Sequence, residues 1–144
     1  MTTLTTSRQV NGRKLLQLSP LAGLIAAVIN AVLFFIGSAT GAIPADLIIP
    51  NAGQPLTVVP VIVASFFPAI VAGLGLVVLN RFTKNPLRLF NILALALLLF
   101  SFMSPLSVPN MPFGMVLILE LMHVVVVGVV LYVFNRYARR EVAG

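Results

Sequence analysis

Long apolar stretches separated by short polar segments are the dominant pattern of this chain. No charged residue stands between Lys14 and Asp46, between Asp46 and Arg81, or between Arg88 and Glu120. Because a helix rises about 1.5 Å per residue, about 20 mostly apolar residues cross the hydrocarbon core of a bilayer. The pattern therefore predicts an all-α polytopic membrane protein, a four-helix transmembrane bundle with spans at residues 21–39, 57–79, 87–104 and 113–135.

Local signals set the expected boundaries of these helices. Ser19 followed by Pro20 is typical of a helix start, with Ser as the N-cap and Pro in the first helical position. Residues 1–18 are then a cytoplasmic tail, residues 19–140 the four-helix domain, and residues 141–144 a C-terminal tail. A cleaved signal peptide is the alternative for the first helix, but its apolar segment exceeds the usual length of about 7–15 residues.

The composition excludes an ordinary water-soluble domain. Hydrophobic residues make up 60% of the chain and charged residues 8%, against about 45–50% and about 25% in soluble globular proteins. The net charge of +6 raises the question of nucleic-acid binding, but the basic residues flank the apolar runs, as they do in membrane proteins. No nucleic-acid partner is predicted. The chain has no Cys, which excludes disulfides and thiolate metal sites.

The distribution of basic residues predicts the orientation. The loops at residues 40–56 and 105–112 contain no Lys or Arg. Eight of the nine stand in the other connection and the flanking segments, and the ninth, Arg88, stands at the start of the third span. Cytoplasmic loops are enriched in Lys and Arg, so both termini are expected in the cytoplasm and the protein in the inner (cytoplasmic) membrane. The predicted inner-face anchors are Arg13, Lys14, Arg81, Lys84, Arg88, Arg136, Arg139 and Arg140.

A few polar residues interrupt the apolar spans and are the candidates for function. Glu120 and His123 lie three apart on the fourth helix, hence on one face, and a charge at such a depth costs at least about 2.5–3.5 kcal/mol. Asn30, Ser65 and Ser101 stand at similar depths in the other three helices. We therefore predict one intramembrane polar cluster, formed by Asn30, Ser65, Ser101, Glu120 and His123.

The residues alone leave several roles open for this cluster. Interhelical hydrogen bonding, proton or small-solute handling, and lipid or quinone binding all fit a Glu–His pair in apolar surroundings. Metal binding fits less well, because the Glu-x-x-His pattern of di-iron bundles needs a second copy and further carboxylates, and the other acids, Asp46 and Glu141, lie outside the spans. No metal, cofactor or catalytic residue is predicted, and an enzyme is not expected.

Two further patterns concern helix geometry. Pro68 in the second helix removes a backbone donor and predicts a kink. Small residues four apart permit close approach of membrane helices. These pairs are Gly23/Ala27, Gly37/Gly41 and Ala69/Gly73.

Three segments carry a resemblance to a known family. They are LAGLIAAVINAV at residues 21–32, NPLRLF at residues 85–90 and LMHVVV at residues 121–126. The chain from Ser19 to Arg140 resembles a family of small bacterial four-helix membrane proteins of unknown function. The resemblance rests on an Asn in the first helix, Pro in the second, a basic inner loop and Met-His in the fourth. It implies the topology and supplies no function.

The favoured interpretation is a non-enzymatic accessory or structural component of a membrane assembly. Its expected partners are the lipid bilayer and either further copies of the chain or a larger membrane complex. The alternatives are proton or small-solute transport centred on Glu120 and His123, and binding of a lipid or quinone.

Overall fold

The computed structural model describes residues 10–49 and 52–138. Within these residues, four helical stretches are long and apolar enough to cross a membrane, with α3 and α4 forming one stretch. This confirms the predicted fold class of a multi-pass membrane protein. The elements are α1 (Gly12–Ala39), β1 (Ile48–Ile49), β2 (Gln54–Pro55), α2 (Val58–Phe82), α3 (Pro86–Ser101), α4 (Met103–Leu106) and α5 (Phe113–Tyr137).

Helix α1 begins earlier than the Ser19-Pro20 signal indicated. The N-cap is Asn11, whose side-chain oxygen accepts a hydrogen bond from the Lys14 backbone N–H at 3.2 Å. Ser19 lies inside the helix and donates its hydroxyl to the Leu15 carbonyl at 2.7 Å. Pro20 follows within the same helix. The expected start at residue 21 is therefore corrected to Gly12, because Asn11 supplies a cap and a membrane helix tolerates an internal Pro.

The two ends of the described chain meet at one end of the bundle, here called the basic end. The Asn11 N–H donates to the Ala138 carbonyl at 3.0 Å, and the Asn80 amide donates to the Val10 carbonyl at 3.1 Å. The first contact joins the residue before α1 to the residue after α5. The second joins the start of the described chain to the last turn of α2. The predicted anchors at this end are Arg13, Lys14, Arg81, Lys84, Arg88 and Arg136; Arg139, Arg140 and residues 1–9 and 141–144 lie outside the described residues.

Helix α1 packs mainly against α2 and α5. Its buried face is built from small residues, among them Ala22, Gly23 and Ala26, which lets the helices approach closely. The approach is tight at Gly23, where an added Cβ would lie 2.7 Å from the Phe66 carbonyl oxygen of α2. The predicted role of this small-residue position in close packing is therefore confirmed.

Helix α3 joins the bundle chiefly through its first two turns. Its buried residues are Pro86, Leu87 and Phe90, and the Phe90 ring lies against Phe134 of α5 with 5.6 Å between centroids. Further along α3 the side chains face outward, so that Phe100 is 74% exposed. In the described part of the chain α3 packs against α2 and α5 but not α1. Helix α3 therefore lies against α2 and α5, on the side away from α1.

The opposite end, here called the loop end, is closed by ordered connections. Gly41, at φ 74°, adopts the left-handed conformation that lets the chain reverse after α1. Ile43, Leu47 and Ile49 then pack near Phe34 in a second apolar core. Strands β1 and β2 pair antiparallel, with Ile48 opposite Pro55. The first connection thus folds back over the ends of α1, α2 and α5.

Candidate functional site

Asn30 connects three helices from the middle of α1. Its side chain is 1% exposed, and Nδ2 donates to the Ser65 hydroxyl of α2 at 2.9 Å and to the Met122 carbonyl of α5 at 3.1 Å. A carbonyl oxygen only accepts, so the amide must turn its NH₂ group, and not its oxygen, toward Met122. Both N–H bonds of Asn30 are therefore used, and its Oδ1 is buried without a hydrogen-bond partner among the described residues.

Ser65 is positioned by its own helix. It is 2% exposed, and its hydroxyl donates to the Val61 carbonyl, one turn earlier, at 2.7 Å. A hydroxyl has one hydrogen and two acceptor lone pairs. Because the hydrogen points to Val61, the Ser65 oxygen acts as the acceptor for Asn30.

His123 is fixed in one tautomer by a backbone contact. Its Nδ1 lies 2.7 Å from the Leu119 carbonyl oxygen, one turn earlier on α5. Since the carbonyl can only accept, Nδ1 must carry the hydrogen. In the neutral ring Nε2 then carries a lone pair and acts as an acceptor.

These three side chains line one cavity between α1, α2 and α5. Its volume is about 180 Å³, similar to an engineered apolar protein cavity of about 150 Å³ that binds benzene. The other lining residues have apolar side chains. The complete lining is Asn30, Leu56, Pro60, Val61, Ala64, Ser65, Leu119, Met122, His123 and Val126.

The cavity opens sideways, toward the position of the lipid chains. Ala64 lines the cavity and is nevertheless exposed, although it lies about 9 Å along α2 from its first residue at 1.5 Å per residue. No residue of α3 contributes to the lining. At the loop end Leu56 forms part of the wall and belongs to the second apolar core. A molecule dissolved in the membrane could therefore enter laterally.

Pro68 lies four residues after Ala64 within α2, which continues through it. Proline has no N–H, so it cannot donate the hydrogen bond that the Ala64 carbonyl would receive in a regular helix. Pro68 thus removes one backbone hydrogen bond of α2 beside the cavity wall. The predicted kink at Pro68 stays a prediction.

Two of the five residues of the predicted polar cluster do not share this site. The Ser101 hydroxyl donates to the Leu98 carbonyl of its own helix at 2.7 Å. Both carboxyl oxygens of Glu120 are buried without a hydrogen-bond partner among the described residues, and Glu120 does not line the cavity. The structure therefore brings Asn30, Ser65 and His123 to one cavity, and Ser101 and Glu120 do not line it. Ser101 lies on α3, which contributes no residue to the lining of the cavity.

A second polar contact was missed because it lies near the basic end rather than at mid-membrane depth. Asn91 of α3 and Asn135 of α5 exchange amide hydrogen bonds, at 3.1 Å and 2.9 Å. The available signal was an Asn in each of two predominantly apolar helices. This pair fastens α3 to α5 beside the Phe90–Phe134 contact and explains why α3 is held at this end.

Comparison with known proteins assigns the chain to a family. The model of a family of unknown function, DUF6069, matches residues 10–140. The chain belongs to this family, which confirms the resemblance to an uncharacterised family of four-helix proteins. No curated protein and no solved structure matches the chain.

Proposed function

We propose that this member of the DUF6069 family is a non-enzymatic membrane protein that binds the polar end of an amphiphilic molecule in its lateral cavity. The observation that carries the proposal is the cavity itself, which places Asn30, Ser65 and His123 in an otherwise apolar wall. Ligand sites are typically apolar with a few convergent polar groups that fix the orientation of the ligand. Such a protein would serve as an accessory component of a membrane assembly, the role that the sequence favours.

The size and position of the cavity support a ligand held only at one end. A volume of about 180 Å³ is below the roughly 300–1,000 Å³ of sites that enclose a whole drug-sized molecule. It suits a small head or ring, while a hydrocarbon tail would leave through the side opening at Ala64 and lie among the lipids. Lipids and quinones both have this shape.

The state of the polar groups supports a binding rather than a catalytic role. The Ser65 hydroxyl donates to the Val61 carbonyl, and His123 Nδ1 is engaged by Leu119. A serine nucleophile requires its proton to be directed at a general base, whereas here the proton is directed at the backbone. We therefore propose that the chain is not an enzyme.

We further propose that the protein lies in the cytoplasmic membrane with its basic end inside the cell. Six described Lys and Arg side chains lie at that end, at helix ends or in the connection between α2 and α3. The positive-inside rule favours this orientation. The cavity would then open toward the outer leaflet, because Ser65 is about 10 Å and His123 about 15 Å from the loop end of their helices.

Extraction of bound molecules from the purified protein tests the proposed function. The Ala64→Trp variant places a large ring in the cavity opening, whereas Val71→Trp places the same ring on an exposed part of the same helix face, two turns away. Solvent extracts of the wild type and both variants, purified in mild detergent, are compared by mass spectrometry. We expect one amphiphile to be retained by the wild type and Val71→Trp and lost from Ala64→Trp. Identical extracts from all three proteins would refute the proposal.

Proton handling is the second candidate function, and the state of Glu120 favours it. An unpartnered carboxyl group costs stability in the membrane, and such residues often mark proton pathways. His123, one turn away, is a second group able to take up a proton. Proton flux into proteoliposomes should then be present for the wild type and absent for Glu120→Gln. Equal flux in both, or none in the wild type, would eliminate this candidate.

A further inference from the structure

The polar groups at the cavity share one property, which is that their hydrogen-bond donors are already engaged. Both N–H bonds of Asn30 are used by Ser65 and Met122. The single O–H of Ser65 is used by Val61, and the Nδ1–H of His123 is used by Leu119. The side chains of the lining therefore have no donor left to offer a ligand while His123 is neutral.

One acceptor, by contrast, is available. Asn30 Oδ1 accepts no hydrogen bond among the described residues, but this atom is itself buried, which leaves the ring of His123, a residue that lines the cavity. His123 Nε2 carries a lone pair in the tautomer that Leu119 imposes. An acceptor that lacks a hydrogen-bond partner in apolar surroundings is unfavourable, so a ligand that donates to Nε2 gains affinity.

We propose that the cavity selects amphiphiles that carry a hydroxyl group and discriminates against those that carry only a carbonyl or ether oxygen. A hydroxyl donates its hydrogen to His123 Nε2, whereas a carbonyl oxygen would face the lone pair of that atom. For a quinone-type ligand this means that the reduced form, with its phenolic hydroxyls, binds in preference to the oxidised form. The inference rests on the proposed function, since it specifies the chemistry of the ligand of the same site.

Matched probes separate the hydrogen-bond requirement from hydrophobicity. One pair is a long-chain secondary alcohol and the ketone of the same carbon skeleton, and the other is a para-alkylphenol and its methyl ether. Each is titrated into untagged protein in lipid nanodiscs, and binding is followed by the ¹⁵N chemical shift of Nε2 in His123, the single histidine of the chain. The first pair tests aliphatic hydroxyls and the second tests phenolic ones.

We expect at least one hydroxyl probe to bind about tenfold more tightly than its partner, which corresponds to one hydrogen bond of about 1.4 kcal/mol. The Nε2 resonance should shift with the hydroxyl probe and stay in place with its partner. The His123→Phe variant keeps a ring but removes the acceptor, so it should reduce the preference for the hydroxyl probe. Because this variant lacks the histidine signal, its binding is followed by competition with a spin-labelled probe. If this variant does not fold, the shift in the wild type decides the question by itself.

The outcomes distinguish a failure of the hydroxyl preference from a failure of the proposed function. Equal binding of both members of each pair, blocked by Ala64→Trp, would leave the proposed function in place and overturn the hydroxyl preference. Tighter binding of the ketone or the ether would also overturn it. No binding of any probe, with only water in the cavity, would refute the proposed function and this inference with it.

Discussion

Asn30 and Ser65 form a buried hydrogen bond between α1 and α2, with 2.9 Å between Nδ2 and Oγ. The same amide group donates to the Met122 carbonyl at 3.1 Å, so one side chain joins three helices. In membrane proteins such interhelical bonds contribute about 0.6 kcal/mol on average. The contact therefore sets the relative position of the helices more than it stabilises the fold.

A double-mutant cycle tests this relationship. We expect Asn30→Ala and Ser65→Ala to be coupled by about 0.6 kcal/mol, the free energy of their shared hydrogen bond. The free energies of unfolding of the two single variants and the double variant in mixed micelles give the coupling energy.

The matched control for this cycle pairs Asn30→Ala with Ser101→Ala. Ser101 bonds to its own helix, so the coupling should be zero within error. Coupling of equal size in both pairs would contradict the assignment of the contact.

The contrast between Asn30 and Ser101 shows what the sequence reveals about this site. An Asn in the middle of an apolar helix has two N–H bonds and an acceptor oxygen, more than its own helix can satisfy, so its need for interhelical partners can be predicted. A Ser can donate to the carbonyl three or four residues earlier, and the sequence does not tell which choice it makes. Ser65 makes that local bond too, yet it faces Asn30. Ser65 and Ser101 differ because Ser101 lies on α3, which among the described residues does not contact α1, the helix of Asn30.

The position of α3 depends on tertiary contacts that cannot be predicted from the spacing of hydrophobic residues in the sequence. Its length and hydrophobicity predict a membrane span, and the structure confirms one. The Asn91–Asn135 pair and the Phe90–Phe134 contact hold it at the basic end. The cavity depends on how α1, α2 and α5 pack together, so it could not be predicted, although Asn30, Ser65 and His123 were predicted to lie together.

Close packing of α1 on α2 makes Gly23 intolerant of a side chain. A Cβ at Gly23 would lie 2.7 Å from the Phe66 carbonyl oxygen and 3.3 Å from the Ala69 Cβ, and the backbone atom cannot rotate away. We expect Gly23→Ala to lower the free energy of unfolding by about 1–3 kcal/mol, the usual cost of overpacking.

Gly75→Ala is the control for this prediction, because a Cβ at Gly75 meets no atom within 4 Å. This variant should be neutral or gain up to about 1 kcal/mol from the higher helix propensity of Ala. Thermal unfolding in detergent measures both variants. Similar behaviour of the two would argue against the close approach of α1 and α2.

The unpartnered carboxyl group of Glu120 predicts an unusual stabilising substitution. Because both of its oxygens are buried without a hydrogen-bond partner in the described part of the chain, Glu120→Leu removes a polar group that costs about 1–3 kcal/mol. We expect this variant to unfold at a higher denaturant concentration than the wild type. Glu120→Gln, which keeps a polar amide at the same place, should gain less. A loss of stability in Glu120→Leu would mean that the carboxyl group has a partner in the membrane.

Labelling of introduced cysteines tests the proposed orientation without background, since the chain contains no Cys. Asn85 lies between α2 and α3 at the basic end, Ser107 lies after α4 at the loop end, and both are exposed. Because cytoplasmic loops carry the Lys and Arg, a membrane-impermeant maleimide should label Ser107→Cys in intact cells and leave Asn85→Cys unmodified until the membrane is permeabilised. Labelling of Asn85→Cys from outside would reverse the orientation, and the cavity would then open toward the inner leaflet.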